Sequence, residues 1–182
     1  AWNYALHRPD RVKKMVLLDA AGFPQDLPFI MNLAAMPVIG GMSSLMMPKF
    51  IVGMNISAAY GDDDKVDDKL IQRYFDLTMR EGNREALVKV FRTMKEQSSN
   101  PHLGKRIKEI NVPTLLMWGD QDEWVPLEIL AQFEEALENS QTIVYEGVGH
   151  MPMEELPVQT ARDAHSFFLQ GKIIAAPLAV EL

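Results

Sequence analysis

Residues 112–126 have the sequence VPTLLMWGDQDEWVP. The apolar run at 114–118 does not alternate with polar residues, which is typical of a strand buried on both faces of a parallel sheet. Gly119 and the acidic turn after it end this strand. Pro126 suits the first turn of a helix, where its missing N–H has no partner to lose. The stretch therefore predicts a buried strand, a polar turn and a helix over about 126–137.

Similar segments lie on either side along the chain. Upstream, residues 13–19 contain a second short apolar run, closed by alanines and a glycine. Downstream, residues 141–146 predict a third strand, and 157–169 predict a helix that ends at Gly171. Strands that alternate with helices at this spacing form right-handed βαβ units and a parallel sheet. The predicted fold class is therefore α/β.

Residues 23–104 have a different composition and show no strand pattern. Their first part is rich in Met, Pro and Gly, and their second part is charged and predicts helices over 67–80 and 84–96. The second of these helices is predicted to have Leu87, Val90, Phe91 and Met94 on one side. We interpret this stretch as a helical insertion into the α/β core. The predicted organisation has three parts, namely the core at 1–22 and 105–172, the insertion at 23–104, and a tail at 173–182 with no assigned role.

Composition excludes several classes of function. The chain has 182 residues, 47% of them hydrophobic, which is enough for one domain with a core. A net charge of −7 without a clustered basic face disfavours nucleic-acid binding. The absence of cysteine excludes disulfides and thiolate metal sites, and it slightly favours the reducing cytoplasm. No apolar run is long enough for a membrane span, and no histidine spacing matches a zinc site.

One polar residue stands after each predicted strand: Asp19, Asp122 and His150. In parallel α/β sheets, catalytic groups gather in the loops beyond the carboxyl ends of the strands. An aspartate placed there can fix the tautomer of a histidine and stabilise its imidazolium form. We therefore predict an acid–base pair of Asp122 and His150, with Asp19 as the alternative acid. A purely structural alternative is that Asp122 caps the following helix.

The segments that carry these residues resemble a known family. Residues 112–126 are similar to the acid-bearing segment of the α/β-hydrolase fold family, and 147–155, with the sequence GVGHMPMEE, to its histidine loop. Residues 9–20 are similar to the segment after its nucleophile helix. The resemblance implies that Asp122 and His150 are the acid and base of a Ser–acid–His triad in that chain order. It also implies that the insertion is a cap over the active site.

The sequence departs from the family pattern at the nucleophile. It contains no Gly-x-Ser-x-Gly elbow, and the resemblance places that elbow upstream of Ala1. The helical pattern from Ala1 to His7 also begins without an N-cap residue, so we expect the sequence to start inside a helix. Since removal of a triad nucleophile lowers turnover by about 10⁶, we expect a C-terminal portion of a hydrolase that is inactive alone.

The resemblance implies a function for the parent protein. We expect a serine esterase or lipase-like enzyme that hydrolyses carboxylic esters of apolar substrates without a cofactor or a metal. Alternatives within the family are a C–C bond hydrolase, a haloalkane dehalogenase and an epoxide hydrolase, because fold resemblance does not choose the chemistry. An alternative of another class is a non-catalytic protein that binds an apolar ligand or partner and dimerises through an exposed sheet edge.

Methionine density suggests where an apolar substrate would bind. Thioether side chains adapt their shape, so they can line a pocket for varied apolar groups, although they also fill ordinary cores. The predicted pocket residues are Met31, Met36, Met42, Met46, Met47, Trp124 and Met151.

Overall fold

The computed structural model describes residues 1–36 and 47–171. Its sheet has three parallel strands, β1 (Met15–Leu18), β2 (Thr114–Gly119) and β3 (Ser140–Tyr145), in the spatial order β1-β2-β3. The α/β prediction is confirmed. Met42, Met46 and the predicted tail at 173–182 lie outside the described residues.

The central strand β2 is buried along its whole length, as its unbroken apolar run predicts. Alternate side chains of β2 enter opposite faces of the sheet because successive residues of a strand point in opposite directions. Leu116 and Trp118 pack in the core on one face, and Leu115 and Met117 pack in the core on the other. This double burial holds the carboxyl end of β2, and the turn after it, at the centre of the molecule.

Helices cover both faces of the sheet. On one face, the cluster around Phe133 joins the helices α1 (Trp2–His7) and α6 (Leu127–Ala136) to β1 and β2. On the other face, Phe167 of the long helix α8 (Pro157–Gln170) packs on β2 and on Tyr145 of β3. The short helix α7 (Pro152–Glu155) precedes α8.

Between β1 and β2 the described residues form α-helices and short 3₁₀ turns. The α-helices are α2 (Phe29–Ala35), α3 (Lys49–Ala59), α4 (Asp68–Met79) and α5 (Asn83–Ser98). The sequence predicted α4 and α5 to within a few residues, and the carboxylate of Asp67 caps α4 by accepting the N–H of Leu70 at 2.7 Å. The division into core, insertion and tail stays a prediction.

The sequence pattern did not predict α2 and α3, two helices of the insertion. The α3 helix contains β-branched residues and a glycine, which have low helix propensity. Packing overrides that propensity, since Val52, Gly53, Ile56 and Ala59 are buried and an added Cβ at Gly53 would touch Ile71.

One face of α5 also differs from the expectation. Leu87, Phe91 and Met94 are partly buried as predicted, but Val90 is 51% exposed and Val88 is buried instead. The buried stripe therefore runs one residue to the side of the predicted one, towards α2, against which α5 packs. Across residues 1–36 and 47–171, no helix combines the length and the apolar character needed to cross a bilayer.

Candidate active site

His150 and Asp122 meet beyond the carboxyl ends of β2 and β3. Nδ1 of His150 lies 2.9 Å from Oδ2 of Asp122. The Asp122 side chain is fully buried, whereas the His150 side chain is 22% exposed. Because an ionised carboxylate only accepts hydrogen bonds, Nδ1 carries the proton and Nε2 is left as the basic nitrogen. The structure thus brings together the two residues that the sequence predicted as a pair.

The acid turn holds Asp122 through its other oxygen. Oδ1 accepts the backbone N–H groups of Trp124 at 2.8 Å and of Val125 at 2.9 Å. The indole of Trp118 in β2 donates to the carbonyl of Val125 at 2.8 Å and ties the turn to the strand. Asp122 therefore organises its own turn, as the structural alternative expected, while Oδ2 remains available to orient the imidazole.

Three glycines let three backbone segments touch at this site. An added Cβ at Gly149 would lie 2.6 Å from the carbonyl oxygen of Ala59 and from the nitrogen of Gly61, and one at Gly119 would overlap the carbonyl of Gly149. His150 also donates its backbone N–H to Ala59 at 2.8 Å. The histidine loop is therefore wedged between the end of β2 and the end of α3.

Glu155 joins the histidine loop to the insertion, a role that sequence reasoning missed. Its side chain is fully buried. It accepts the N–H of Gly149 at 2.8 Å and that of Gly61 at 3.2 Å, and Lys65 approaches it at 3.9 Å. The available signal was an acidic residue three positions after the proline of the loop, Pro152.

Glu154 forms a second junction with the insertion. It accepts hydrogen bonds from the hydroxyls of Tyr60 and Tyr74, both at 2.7 Å. It also forms an ion pair with Arg73. Burial alone would raise the pKa of Glu154, but the hydrogen bonds from Tyr74, Tyr60 and Arg73 outweigh it and lower that pKa. Burial and the hydrogen bond to Glu154 raise the pKa of Tyr74 to about 12. This junction is thus ionic at neutral pH.

Asp19, the alternative acid, lies in the same region but does not contact His150. Its side chain accepts the N–H of Gly119 at 2.9 Å, and its backbone has φ +41°, an unusual conformation for an aspartate. Burial raises its pKa to about 8, with further contributions from the carboxylates of Asp122 and Glu155, against the lowering effect of the Gly119 N–H. The structure therefore places His150 beside Asp122 and not beside Asp19.

The predicted pocket residues divide into different environments. The ring of Trp124 lies over His150, with 5.1 Å between ring centroids. Met47 and Met151 pack, partly buried, on the core of the insertion, Met31 is buried at 4% exposure, and Met36 is 45% exposed. Trp124 also lines an apolar cleft of about 340 Å³ next to the acid turn. The other residues of this cleft were not predicted, and they are Pro28, Phe29, Ile30, Met54, Asn55, Ala58 and Glu123.

Comparison with known proteins supports the fold. A family model described as alpha/beta hydrolase fold matches residues 89–157, a range that includes both Asp122 and His150. A meta-cleavage product hydrolase from Pseudomonas fluorescens IP01 superposes with a TM-score of 0.78 at 22% identity, covering 94% of this chain and 61% of that one. The chain has the α/β-hydrolase fold.

Two curated relatives have stated activities. Lipase 3 of Moraxella sp. (strain TA144) is 38% identical over 63 residues, 35% of this chain and 20% of that protein. The 2-hydroxy-6-oxo-6-(2'-aminophenyl)hexa-2,4-dienoic acid hydrolase of Metapseudomonas resinovorans is 29% identical over 112 residues, 62% of this chain and 39% of that protein. The chain thus spans less than half the length of each. Within its own described residues, no group of three or more His, Asp or Glu side chains is arranged to hold a metal ion.

The raised pKa of Asp19 predicts a pH-dependent stability. The folded chain keeps a proton up to about pH 8 that an ordinary aspartate releases near pH 3.8, so the free energy of unfolding falls as pH rises between these values. Asp19→Asn removes this dependence and should stabilise the chain by roughly 2–4 kcal/mol at pH 7. Chemical denaturation of both proteins at pH 5 and pH 8 measures the change in the free energy of unfolding. An identical pH dependence in both proteins would contradict the prediction.

The buried bridge of Glu155 predicts a second stability effect. Glu155→Ala leaves the N–H groups of Gly61 and Gly149 without their acceptor, so it should lower the free energy of unfolding by roughly 3–5 kcal/mol. Urea denaturation gives the value. The matched control is Glu146→Ala, an exposed carboxylate just after β3. A loss no larger than that of the control would show that the bridge does not hold the loop.

Proposed function

We propose that Asp122 and His150 are the acid and the base of a hydrolase that acts on carboxylic esters of apolar substrates. The observation that carries this proposal is the 2.9 Å contact between Nδ1 of His150 and the buried carboxylate of Asp122, which leaves Nε2 as the basic nitrogen. The match of residues 89–157 to the α/β-hydrolase family model supports it. The lipase activity named for one relative supports the ester as substrate.

The proposed reaction uses His150 to move a proton. The 182 residues contain no Gly-x-Ser-x-Gly elbow, so the proposed nucleophile is a serine outside them. Its hydroxyl gives a proton to Nε2 as its oxygen attacks the ester carbonyl, and Asp122 stabilises the imidazolium that forms. His150 then protonates the leaving alcohol. Water repeats the sequence to release the acid, and no cofactor is required.

The cleft beside Trp124 supports an apolar substrate. Its volume of about 340 Å³ falls within the usual range for small-molecule sites, and Phe29 and Met54 expose 79% and 62% of their surface around it. Of the described side chains, that of Trp124 alone lies between the cleft and the imidazole of His150. An acyl or alkyl group in the cleft would therefore lie next to the proposed base.

Hydrolysis of a C–C bond is a second candidate. The observation that favours it is the likeness to hydrolases of that kind, namely the Metapseudomonas resinovorans enzyme in sequence and the meta-cleavage product hydrolase in fold. The same acid–base pair would serve, with a carbanion instead of an alkoxide as the leaving group. A ring-cleavage dienoate substrate, compared with an ester of equal size, separates the two candidates.

Turnover of p-nitrophenyl esters tests the proposed acid and base. The 182-residue chain should show no hydrolysis above its His150→Ala variant. A form extended upstream to include an elbow serine should be active. In that form His150→Ala should lower kcat by about 10⁶, and Asp122→Asn by about 10⁴ because the imidazole loses its tautomer control.

Two results would contradict the proposal. One is hydrolysis by the 182-residue chain that disappears with His150→Ala, which would mean that these residues contain the nucleophile. The other is an active extended form that tolerates Asp122→Asn but loses activity with Asp19→Asn, which would assign the acid to the wrong aspartate. Faster turnover of the dienoate than of every ester would favour the C–C candidate.

The cleft predicts a dependence on acyl-chain length. Each methylene buried in an apolar site contributes about 0.8 kcal/mol, so two methylenes favour a butyrate over an acetate by roughly tenfold in kcat/KM. Met54→Asp places a charge in the cleft and should abolish that preference in the extended form. The control is Phe50→Asp, on the same helix but outside the cleft. Equal ratios in the two variants would place the acyl group elsewhere.

A further inference from the structure

Asp19 and Asp122 are arranged around one residue, Gly119, at the end of β2. Oδ1 of Asp19 accepts the N–H of Gly119 at 2.9 Å, and the N–H of Asp122 points to the carbonyl of the same glycine at 3.4 Å. Asp19 follows β1 and also donates its own N–H to Met117 of β2 at 3.0 Å. Two carboxyl groups from neighbouring strand ends are therefore fixed side by side by the same piece of backbone.

The second oxygen of Asp19 is buried without a partner. The residue is 5% exposed, and Oδ2 has no hydrogen-bond partner in the described part of the chain. The titratable groups that face Asp19 are Asp122 from the acid turn, Glu155 from α7 and Tyr145 from the end of β3, none of them a cation. A negative charge on Asp19 would thus be buried among acids with one N–H to stabilise it, which is strongly unfavourable.

Asp122 has room for one more hydrogen bond. Its Oδ1 accepts two backbone N–H groups, and within the described residues its Oδ2 accepts a hydrogen bond from Nδ1 of His150 alone. Since each carboxylate oxygen accepts two hydrogen bonds, Oδ2 retains one free acceptor position. A protonated Asp19 has one O–H to donate. The O–H of Asp19 can therefore fill the free acceptor position on Oδ2 of Asp122.

We propose that Asp19 is a neutral carboxylic acid whose Oδ2 hydroxyl donates a hydrogen bond to Asp122, which makes it a positioning residue for the acid–base pair. This hydrogen bond draws charge from Asp122 and weakens its attraction for the Nδ1 proton of His150, while it restrains the carboxylate. The raised pKa of Asp19 agrees with the neutral form. The inference rests on the proposed function only in taking His150 as the base.

Proton NMR of the 182-residue chain tests this hydrogen bond without any turnover. The Nδ1 proton of His150 resonates far downfield, and its shift reports the strength of its bond to Asp122. Asp19→Asn keeps an acceptor for Gly119 and a donor for Asp122, and asparagine tolerates positive φ. It should leave the shift unchanged. Asp19→Gly suits φ +41° but removes the donor, and it should move the proton further downfield.

An ionised Asp19 gives the opposite pattern. Both variants would then remove a negative charge beside Asp122, and both would move the Nδ1 proton upfield. That result would overturn the proposal, as would a shift that neither variant changes. Glu146→Gln, an exposed carboxylate after β3, controls for a general loss of charge.

A second measurement follows Asp19 directly. The ¹³Cγ signal of Asp19, assigned by its loss in Asp19→Asn, should titrate with a midpoint near pH 8. Asp122→Asn removes the charged acceptor, so it should lower this midpoint by about one unit or more. A midpoint that stays in place in Asp122→Asn would exclude the hydrogen bond. These results stand apart from hydrolysis, so a failure of the proposed function leaves them interpretable.

Discussion

The contact of three backbone segments at Gly61, Gly119 and Gly149 is the constraint on which the site depends. Any side chain at Gly149 would overlap the end of α3, and any side chain at Gly119 would overlap the histidine loop. Without this close approach, His150 could not donate its N–H to Ala59 and at the same time reach Asp122. Glycine is therefore required by the distance between backbones, and the geometry of the acid–base pair follows from it.

That close approach also concentrates negative charge. Asp19, Asp122 and Glu155 are all buried around the same loops, and each takes a backbone N–H as a hydrogen-bond donor. Lys65 is the cation near Glu155, at 3.9 Å, and it is partly exposed. Three buried carboxylates with so little positive charge repel one another. The group with the fewest donors is Asp19, and the proton that it retains relieves this repulsion.

The sequence predicted the features that are encoded locally. The strands, and the positions of Asp122 and His150 after two of them, follow from apolar runs and turn residues within a few positions of each other. The bridge of Glu155 to Gly61 spans 94 positions, and the bond of Asp19 to Gly119 spans 100. The periodic pattern of apolar residues in the sequence contains no information on such long-range contacts. For the same reason α3 was missed, since its stability comes from packing that a propensity scale does not contain.

Hydrogen bonds from the end of α3 and from α4 end on the histidine loop itself. Ala59 and Gly61 from the end of α3 contact His150, Gly149 and Glu155, and Tyr60, Arg73 and Tyr74 converge on Glu154. A displacement of α3 or α4 would therefore also displace the loop that contains His150. Since the apolar cleft is also built from α2 and α3 against Trp124, a group bound in the cleft and the orientation of the imidazole are mechanically linked. Under the proposed function, access of an apolar substrate and alignment of His150 would then depend on the same packing.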